Sequence, residues 1–114
     1  VPTHVYQVSG EGRRTLGDFR DTIVHAVAGI GNPDQFFEML VAQKIRVIPH
    51  AFPDHARFQP SDLDFGDRHP ILMTEKDAVK CRAFSDPRFW SVAVNLEFQR
   101  GDVDRLLRRV LRDL

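Results

Sequence analysis

Residues 22–28, which read Thr-Ile-Val-His-Ala-Val-Ala, constrain the fold more than any other segment. Successive side chains of a strand point to opposite faces, and here β-branched and apolar residues occur on both. This pattern is typical of a strand that is covered on both faces. The strand runs directly into residues 29–33, where Pro33 suits the first position of a helix and Asn32 suits its N-cap. A helix is therefore predicted over residues 33–44, with an apolar face formed by Phe36, Phe37, Leu40 and Val41.

The other segments continue this alternation of strands and helices. Strands are predicted at residues 3–9, 45–48, 70–74 and 89–98, and helices at residues 60–64, 75–84 and 102–114. The second of these strands is expected to end at Pro49, which leaves residues 50–60 as a loop, and residues 13–20 receive no assignment. Alternating strands and helices favour an α/β fold, in which an open, mostly parallel sheet lies between helices in a Rossmann-like three-layer arrangement.

Length and composition bound the class of protein. A chain of 114 residues suits one domain over residues 1–114, and 42% hydrophobic and 28% charged residues are ordinary for a globular domain. Sixteen basic and sixteen acidic residues cancel, which argues against a general nucleic-acid-binding protein. The single cysteine, Cys81, excludes an internal disulfide. No apolar run reaches the roughly 18 residues of a membrane span, and a chain that begins with Val1 is expected to be a piece of a larger protein.

Three polar segments follow predicted strands, at residues 29–33, 50–58 and 74–80. Ligand-facing residues of open parallel sheets come from the loops after the carboxyl ends of the strands. We therefore expect these three segments to meet at one edge of the sheet.

The glycine-rich segment has two interpretations. Gly29, Gly31 and Asn32 lie where a strand meets a helix, and free N–H groups at the start of a helix attract anions. The alternative is a tight turn before a capped helix. The segment is not a dinucleotide fingerprint, because the third glycine position holds Asp34, and no G-x-x-x-x-G-K-[ST] string occurs in the chain.

The segment at residues 50–58 is the richest in candidate catalytic groups. Asp54 and His55 are adjacent in a proline-restrained loop, where the carboxylate could orient the imidazole for acid–base chemistry. Together with His50, and with His69 as a possible fourth ligand, they could also bind a metal, although the spacing matches no specific metal motif. A solvated surface loop is the third interpretation.

Basic side chains suggest two further sites. Lys76 and Lys80 are four residues apart and would share one helix face, where two ammonium groups could hold phosphates. Thr74 is a candidate N-cap of the same helix, with Asp77 as its partner at the N3 position. The helix predicted at residues 102–114 has a polar face that could lie on an anionic membrane surface or complement the helix dipole, and its arginines are Arg105, Arg108, Arg109 and Arg112.

Three strings, taken in this order and spacing, resemble the C-terminal part of the tetraacyldisaccharide 4′-kinase family. They are AVAGIGNP at residues 26–33, HAFPDHARF at residues 50–58 and ILMTEKDAVKC at residues 71–81. The resemblance implies a P-loop-type lipid kinase of Gram-negative bacteria that transfers the γ-phosphate of ATP to the 4′-hydroxyl of a tetraacyldisaccharide 1-phosphate in lipid A biosynthesis. It also implies a peripheral location at the cytoplasmic face of the inner membrane.

The resemblance further implies which part of the enzyme binds the nucleotide and which part this chain supplies. In the intact enzyme, ATP and Mg²⁺ would be bound by an N-terminal P-loop domain that this chain lacks, so the chain is expected to be inactive alone and to bind neither tightly. His55 looks like the histidine that supports an acidic base from the N-terminal part, with Asp54 orienting it.

The remaining matched residues are implied cleft residues, and they are Gly29, Gly31, Asn32, Lys76, Asp77 and Lys80. Two rival classes stay open: a small metal-dependent enzyme that uses His50, Asp54 and His55, and a noncatalytic domain that binds anions or a membrane surface.

Overall fold

The computed structural model describes residues 4–93, and its elements follow the predicted alternation. The strands within this range are β1 (His4–Gln7), β2 (Arg13–Thr15), β3 (Ile23–Ala28), β4 (Arg46–Ala51), β5 (Ile71–Thr74) and β6 (Phe89–Val92). The α-helices are α1 (Pro33–Ala42) and α2 (Glu75–Cys81), and short 3₁₀ helices lie at Leu16–Phe19, Pro60–Leu63 and Arg82–Phe84. The predicted C-terminal helix and its arginines fall outside the described residues.

The six described strands form one sheet in the order β2-β1-β6-β5-β3-β4. The strands β6, β5, β3 and β4 are parallel, whereas β1 pairs antiparallel with β6 and β2 pairs antiparallel with β1. The prediction of an open, mostly parallel α/β sheet is therefore confirmed.

The two α-helices cover opposite faces of the sheet. The chain moves from β3 through α1 to β4 in one direction, and from β5 through α2 to β6 in the other. Right-handed crossovers in opposite directions place their helices on opposite faces. The core accordingly divides into two clusters: α1 packs on alternate side chains such as Val24 and Leu72, and α2 packs on the intervening ones such as Val27 and Met73. The result is the predicted three-layer arrangement.

The predicted end of the fourth strand is wrong. β4 continues through Pro49 and His50 to Ala51 instead of stopping before Pro49. Among the described strands, β4 lies at the edge of the sheet and pairs on one side only, so a residue without an N–H is tolerated there. His50 therefore lies in a strand and not in the loop where the sequence analysis placed it.

One apolar position and one cap also differ from expectation. Val41 is predicted on the apolar face of α1, but the residue is 57% exposed. The helix α1 ends two residues earlier than predicted, and Asn32 makes no side-chain hydrogen bond as its N-cap. Helical periodicity shows which side of a helix is apolar, but it does not fix the margins of the buried face. Whether a residue at the margin is buried depends on the surface against which the helix packs.

Residues 13–19, which the sequence left unassigned, form an integral part of the core. β2 pairs with β1, and the turn that follows buries Leu16 and Phe19. The Phe19 ring packs edge-on against Trp90 with the ring centroids 5.8 Å apart.

Within residues 4–93, no helix combines the length and the apolar character needed to cross a bilayer.

Candidate functional site

The three predicted loops meet at one edge of the sheet. The connections of β3 and β5 leave these neighbouring strands toward opposite faces, so their carboxyl ends form a topological switch point, the usual ligand crevice of an open α/β sheet. Gly29 follows β3, and Thr74 ends β5. The loop after β4 reaches the same place, because the Phe52 N–H donates to the Ala28 carbonyl at 2.9 Å.

Asp77 connects two of these loops across the crevice. Its Oδ2 accepts hydrogen bonds from the Gly29 N–H at 2.9 Å and from the Thr74 hydroxyl at 2.6 Å. The Asp77 N–H in turn donates to the Thr74 hydroxyl at 3.3 Å, so the predicted cap of α2 by Thr74 is confirmed. The Asp77 side chain is completely buried, which places it behind the crevice and not at its open side.

Two lysines of α2 hold the third loop. Lys76 Nζ lies 3.1 Å from Asp54 Oδ1, and Lys80 Nζ donates to the Ala56 carbonyl at 2.9 Å. A hydrogen bond from the Ala56 N–H to the Pro53 carbonyl closes a turn over residues 53–56, which we call the 53–56 turn. The hydrogen bond from Lys76 holds the pKa of Asp54 below its ordinary value, so Asp54 is an anion at neutral pH.

His55 stands at the tip of the 53–56 turn and points outward. Its backbone has a φ of +63°, a left-handed conformation that is uncommon for a residue other than glycine. Its side chain is 78% exposed, and its Nε2 lies 3.8 Å from Asp54 Oδ2, which is too long for a hydrogen bond. Asp54 therefore makes its short contact with Lys76, and the structure brings Asp54 and His55 near each other without locking the imidazole.

The backbone N–H of Gly29 and the ammonium groups of the two lysines already have hydrogen-bond partners within the described residues. The Gly29 N–H is already taken by Asp77, and a side chain at Gly31 would start 3.8 Å from the Asp54 carboxylate. The ammonium groups of Lys76 and Lys80 are engaged with the 53–56 turn. The start of α1 therefore lies beside the Asp54 carboxylate, and the nearest lysine ammonium groups already have partners, an arrangement unfavourable for a further anion.

The predicted metal ligands are not brought together. Within residues 4–93, no group of three or more His, Cys, Asp or Glu side chains could hold a metal ion. His50 lies in β4 and contacts His25, with 2.9 Å between His50 Nε2 and His25 Nδ1. His69 approaches the same pair, with its ring centroid 6.1 Å from that of His25.

Sequence reasoning missed a chain of three polar groups, which we call the His25 network. Asp67 Oδ2 lies 2.8 Å from His25 Nε2, and His25 Nδ1 lies 2.9 Å from His50 Nε2. An ionised Asp67 can only accept, so His25 carries its proton on Nε2, and a neutral His25 then accepts from the Nε2–H of His50. Both imidazole rings stack on Phe65. His25 is buried, and a histidine inside an otherwise apolar strand was the one available sign that a polar partner existed.

The His25 network predicts a loss of stability on the acid side. Burial lowers the pKa of His50 below its ordinary value of about 6.5, and the hydrogen bond from His25 lowers the pKa of Asp67. As pH falls below about 6.5, the unfolded chain takes up the His50 proton before the folded chain does, so stability declines. The contribution of Asp67 is lost later, as pH falls through its lowered pKa. Urea midpoints measured between pH 8 and pH 5 should therefore fall.

A matched pair of variants isolates this effect. His50→Gln keeps a hydrogen-bond donor but cannot titrate, so the decline between pH 6.5 and 5 should become shallower. His4→Gln removes an exposed histidine in β1 and should leave the decline unchanged. Equal slopes for His50→Gln and the unaltered chain would show that His50 does not carry this dependence.

Comparison with known proteins gives one family. A profile of the family described as tetraacyldisaccharide-1-P 4′-kinase matches residues 1–112. A tetraacyldisaccharide 4′-kinase of Xylella fastidiosa (strain M12) is 50% identical over 111 residues, which are 94% of this chain and 33% of the relative. The relative of the same name from Alcanivorax borkumensis is 52% identical over 88 residues, covering 77% of this chain and 27% of the relative.

A third relative has a similar identity to this chain and is matched over a similar share of its own length. The tetraacyldisaccharide 4′-kinase of Xanthomonas campestris pv. campestris (strain 8004) is 50% identical over 106 residues, or 93% of this chain and 30% of the relative. The chain thus spans about a third of the length of the curated relatives it matches. No solved structure matches it significantly.

Proposed function

The chain belongs to the tetraacyldisaccharide-1-P 4′-kinase family, and from this we propose that it forms the C-terminal third of a kinase in lipid A biosynthesis. The whole enzyme transfers the γ-phosphate of ATP to the 4′-hydroxyl of a tetraacyldisaccharide 1-phosphate. The observation that carries the proposal is the 53–56 turn, which is fastened to α2 at the switch-point crevice and presents His55 to solvent. A solvent-facing histidine at a crevice edge is suited to a reaction whose other groups come from elsewhere in the protein.

ATP and Mg²⁺ are bound, in this proposal, by the part of the enzyme that precedes this region. The chain contains no phosphate-binding G-x-x-x-x-G-K-[ST] string, and carboxylates line its own crevice loops. The region alone is therefore expected to be inactive. His55 supports a carboxylate base supplied by the other part, and that base takes the proton of the 4′-hydroxyl. The hydroxyl oxygen attacks the γ-phosphorus, the bond from that phosphorus to the β,γ-bridging oxygen breaks, and ADP leaves.

The acceptor chemistry also suggests where the enzyme works. A tetraacylated disaccharide resides in a membrane, so its kinase must reach the lipid surface. We propose that the enzyme acts as a peripheral protein at the cytoplasmic face of the inner membrane, where ATP is available. Fractionation of cells that express the full-length protein tests this location.

Phosphoryl transfer by the full-length protein tests the proposed function. Incubation with γ-labelled ATP, Mg²⁺ and tetraacyldisaccharide 1-phosphate should move the label to the lipid. The matched acceptor, in which the 4′-position is already phosphorylated, should remain unlabelled. Equal labelling of both acceptors, or of neither, would contradict the proposal.

A further inference from the structure

The buried carboxylate of Asp77 is a group that the proposed chemistry leaves without a role. Both of its hydrogen bonds converge on Oδ2, whereas Oδ1 is equally buried and has no hydrogen-bond partner among the described residues. Burying a carboxylate with one oxygen unsatisfied is unfavourable, so its presence requires a reason. Capping of α2 is not a sufficient reason, because the Thr74 hydroxyl already accepts from the helix N–H.

Asp77 bridges the switch point itself. The hydrogen bond to Gly29 spans 48 residues and joins the loop after β3 to the first turn of α2, which follows β5. These loops form the two walls of the crevice at which ligands of such sheets bind. A buried hydrogen bond at this point ties the two walls to each other.

Close packing extends this bridge to the 53–56 turn. A Cβ atom added to Gly29 would lie 3.0 Å from Asp77 Oδ1 and 3.3 Å from the Pro53 carbonyl oxygen. Gly29 is therefore wedged between the Asp77 carboxylate and the residue that begins the turn. A side chain at position 29 would therefore press on both Asp77 and Pro53.

Side chains of α2 make hydrogen bonds to both loops. Asp77 holds Gly29, while Lys76 and Lys80 hold Asp54 and the Ala56 carbonyl from the same helix. Three side chains of one short helix thus make hydrogen bonds to the two loops.

We propose that Asp77 is a positioning residue, which sets the place where His55 is presented by clamping Gly29 against α2. This inference rests on the proposed function, in which His55 supports the transfer of the phosphoryl group. It assigns Asp77 a role behind the site and removes it from the candidate ligands of the nucleotide.

The test compares two aspartate-to-asparagine variants of the full-length kinase. Asp77→Asn keeps the shape but removes the charge that strengthens both hydrogen bonds. Asp62→Asn is the matched control, because Asp62 also receives a capping N–H, from Gln59 at 2.8 Å, but is exposed and lies in the 3₁₀ helix at Pro60–Leu63. We expect Asp77→Asn to lower kcat by about 10- to 100-fold with KM for ATP within about twofold, and Asp62→Asn to change neither.

A second variant keeps the test decisive if Asp77→Asn does not fold. Gly29→Ala alters no reactive group, yet its methyl group would press on both Asp77 and Pro53, so it should lower kcat in the same way. Asp77→Ala removes the carboxylate that the new methyl group would press on. In that background, Gly29→Ala should lower kcat by a much smaller factor. This coupling between the two substitutions is the signature of a clamp.

The outcomes separate the two proposals. An unaltered kcat in folded Asp77→Asn, or effects of Gly29→Ala and Asp77→Ala that simply multiply, would overturn the positioning role while the kinase assignment stands. A fall in kcat matched by a rise in KM for ATP would indicate a general loss of structure and would also overturn it. Absence of transfer by the unaltered full-length protein would overturn the proposed function, and with it this inference.

Discussion

Replacement of His55 by alanine in the full-length kinase is expected to lower kcat by about 100- to 10,000-fold, the usual contribution of a group that assists proton transfer. Stability should hardly change, because the His55 side chain is 78% exposed and makes no hydrogen bond to Asp54 at 3.8 Å. The free energy of unfolding is expected to shift by less than about 0.5 kcal/mol, as for other surface substitutions. Steady-state kinetics and urea unfolding of the same preparations measure the two quantities.

Two controls separate the imidazole from its backbone. Asparagine tolerates the left-handed conformation that His55 adopts, so His55→Asn should preserve the turn and still lose activity. His4→Ala removes an exposed histidine from β1 and should leave kcat unchanged. Parallel losses of activity and stability in His55→Ala would count against a catalytic role for this residue.

Replacement of Phe19 by alanine is expected to cost about 3–5 kcal/mol of unfolding free energy, the range for a buried aromatic side chain. Phe19 is 1% exposed, and its ring packs edge-on against Trp90. A loss of that size is a large share of the roughly 5–15 kcal/mol that stabilises a typical domain. The urea midpoint of Phe19→Ala should therefore fall far below that of the unaltered chain.

Val41→Ala provides the matched apolar control. The periodicity of α1 placed Val41 on the buried face, but its side chain is 57% exposed in the structure. We expect a change of less than about 0.5 kcal/mol for the chain by itself. A cost for Val41→Ala that approaches that of Phe19→Ala would contradict the arrangement of α1 on the sheet.

The features that sequence predicted well are those carried by local pattern. The strand Ile23–Ala28 and the helix Pro33–Ala42 are fixed by a double-sided apolar run and by a proline at the first helical position. Once the alternation of strands and helices was recognised, the carboxyl ends of β3, β4 and β5 had to lie at one edge. The topology of the strands is therefore sufficient to bring the three polar loops together.

The features that sequence missed depend on distant partners. Residues 13–19 look polar because Arg13 and Arg14 dominate them, and only pairing with β1 shows that Leu16 and Phe19 face the core. The end of β4 depended on its place at the edge of the sheet, which no local pattern reveals.

Side-chain partners at the site were equally hidden. Asp54 could have bonded its neighbour His55, but Lys76, 22 residues away in sequence, takes it instead. Asp77 was expected as part of a cap, and its second bond to Gly29 depends on the closeness of two strand ends. Asp67 contacts His25, which lies 42 residues away in the chain. No local sequence pattern shows that residues so far apart are neighbours.

The most direct test of the central claim is complementation between two separately expressed pieces. This chain, the preceding part of the enzyme, and their mixture are each supplied with ATP, Mg²⁺ and tetraacyldisaccharide 1-phosphate, and transfer of phosphate to the lipid is measured. We predict transfer by the mixture only, and its loss when the added chain carries His55→Ala. Transfer by the preceding part alone at the rate of the mixture, or transfer by this chain alone, would contradict the claim that this region supplies one side of a shared active site.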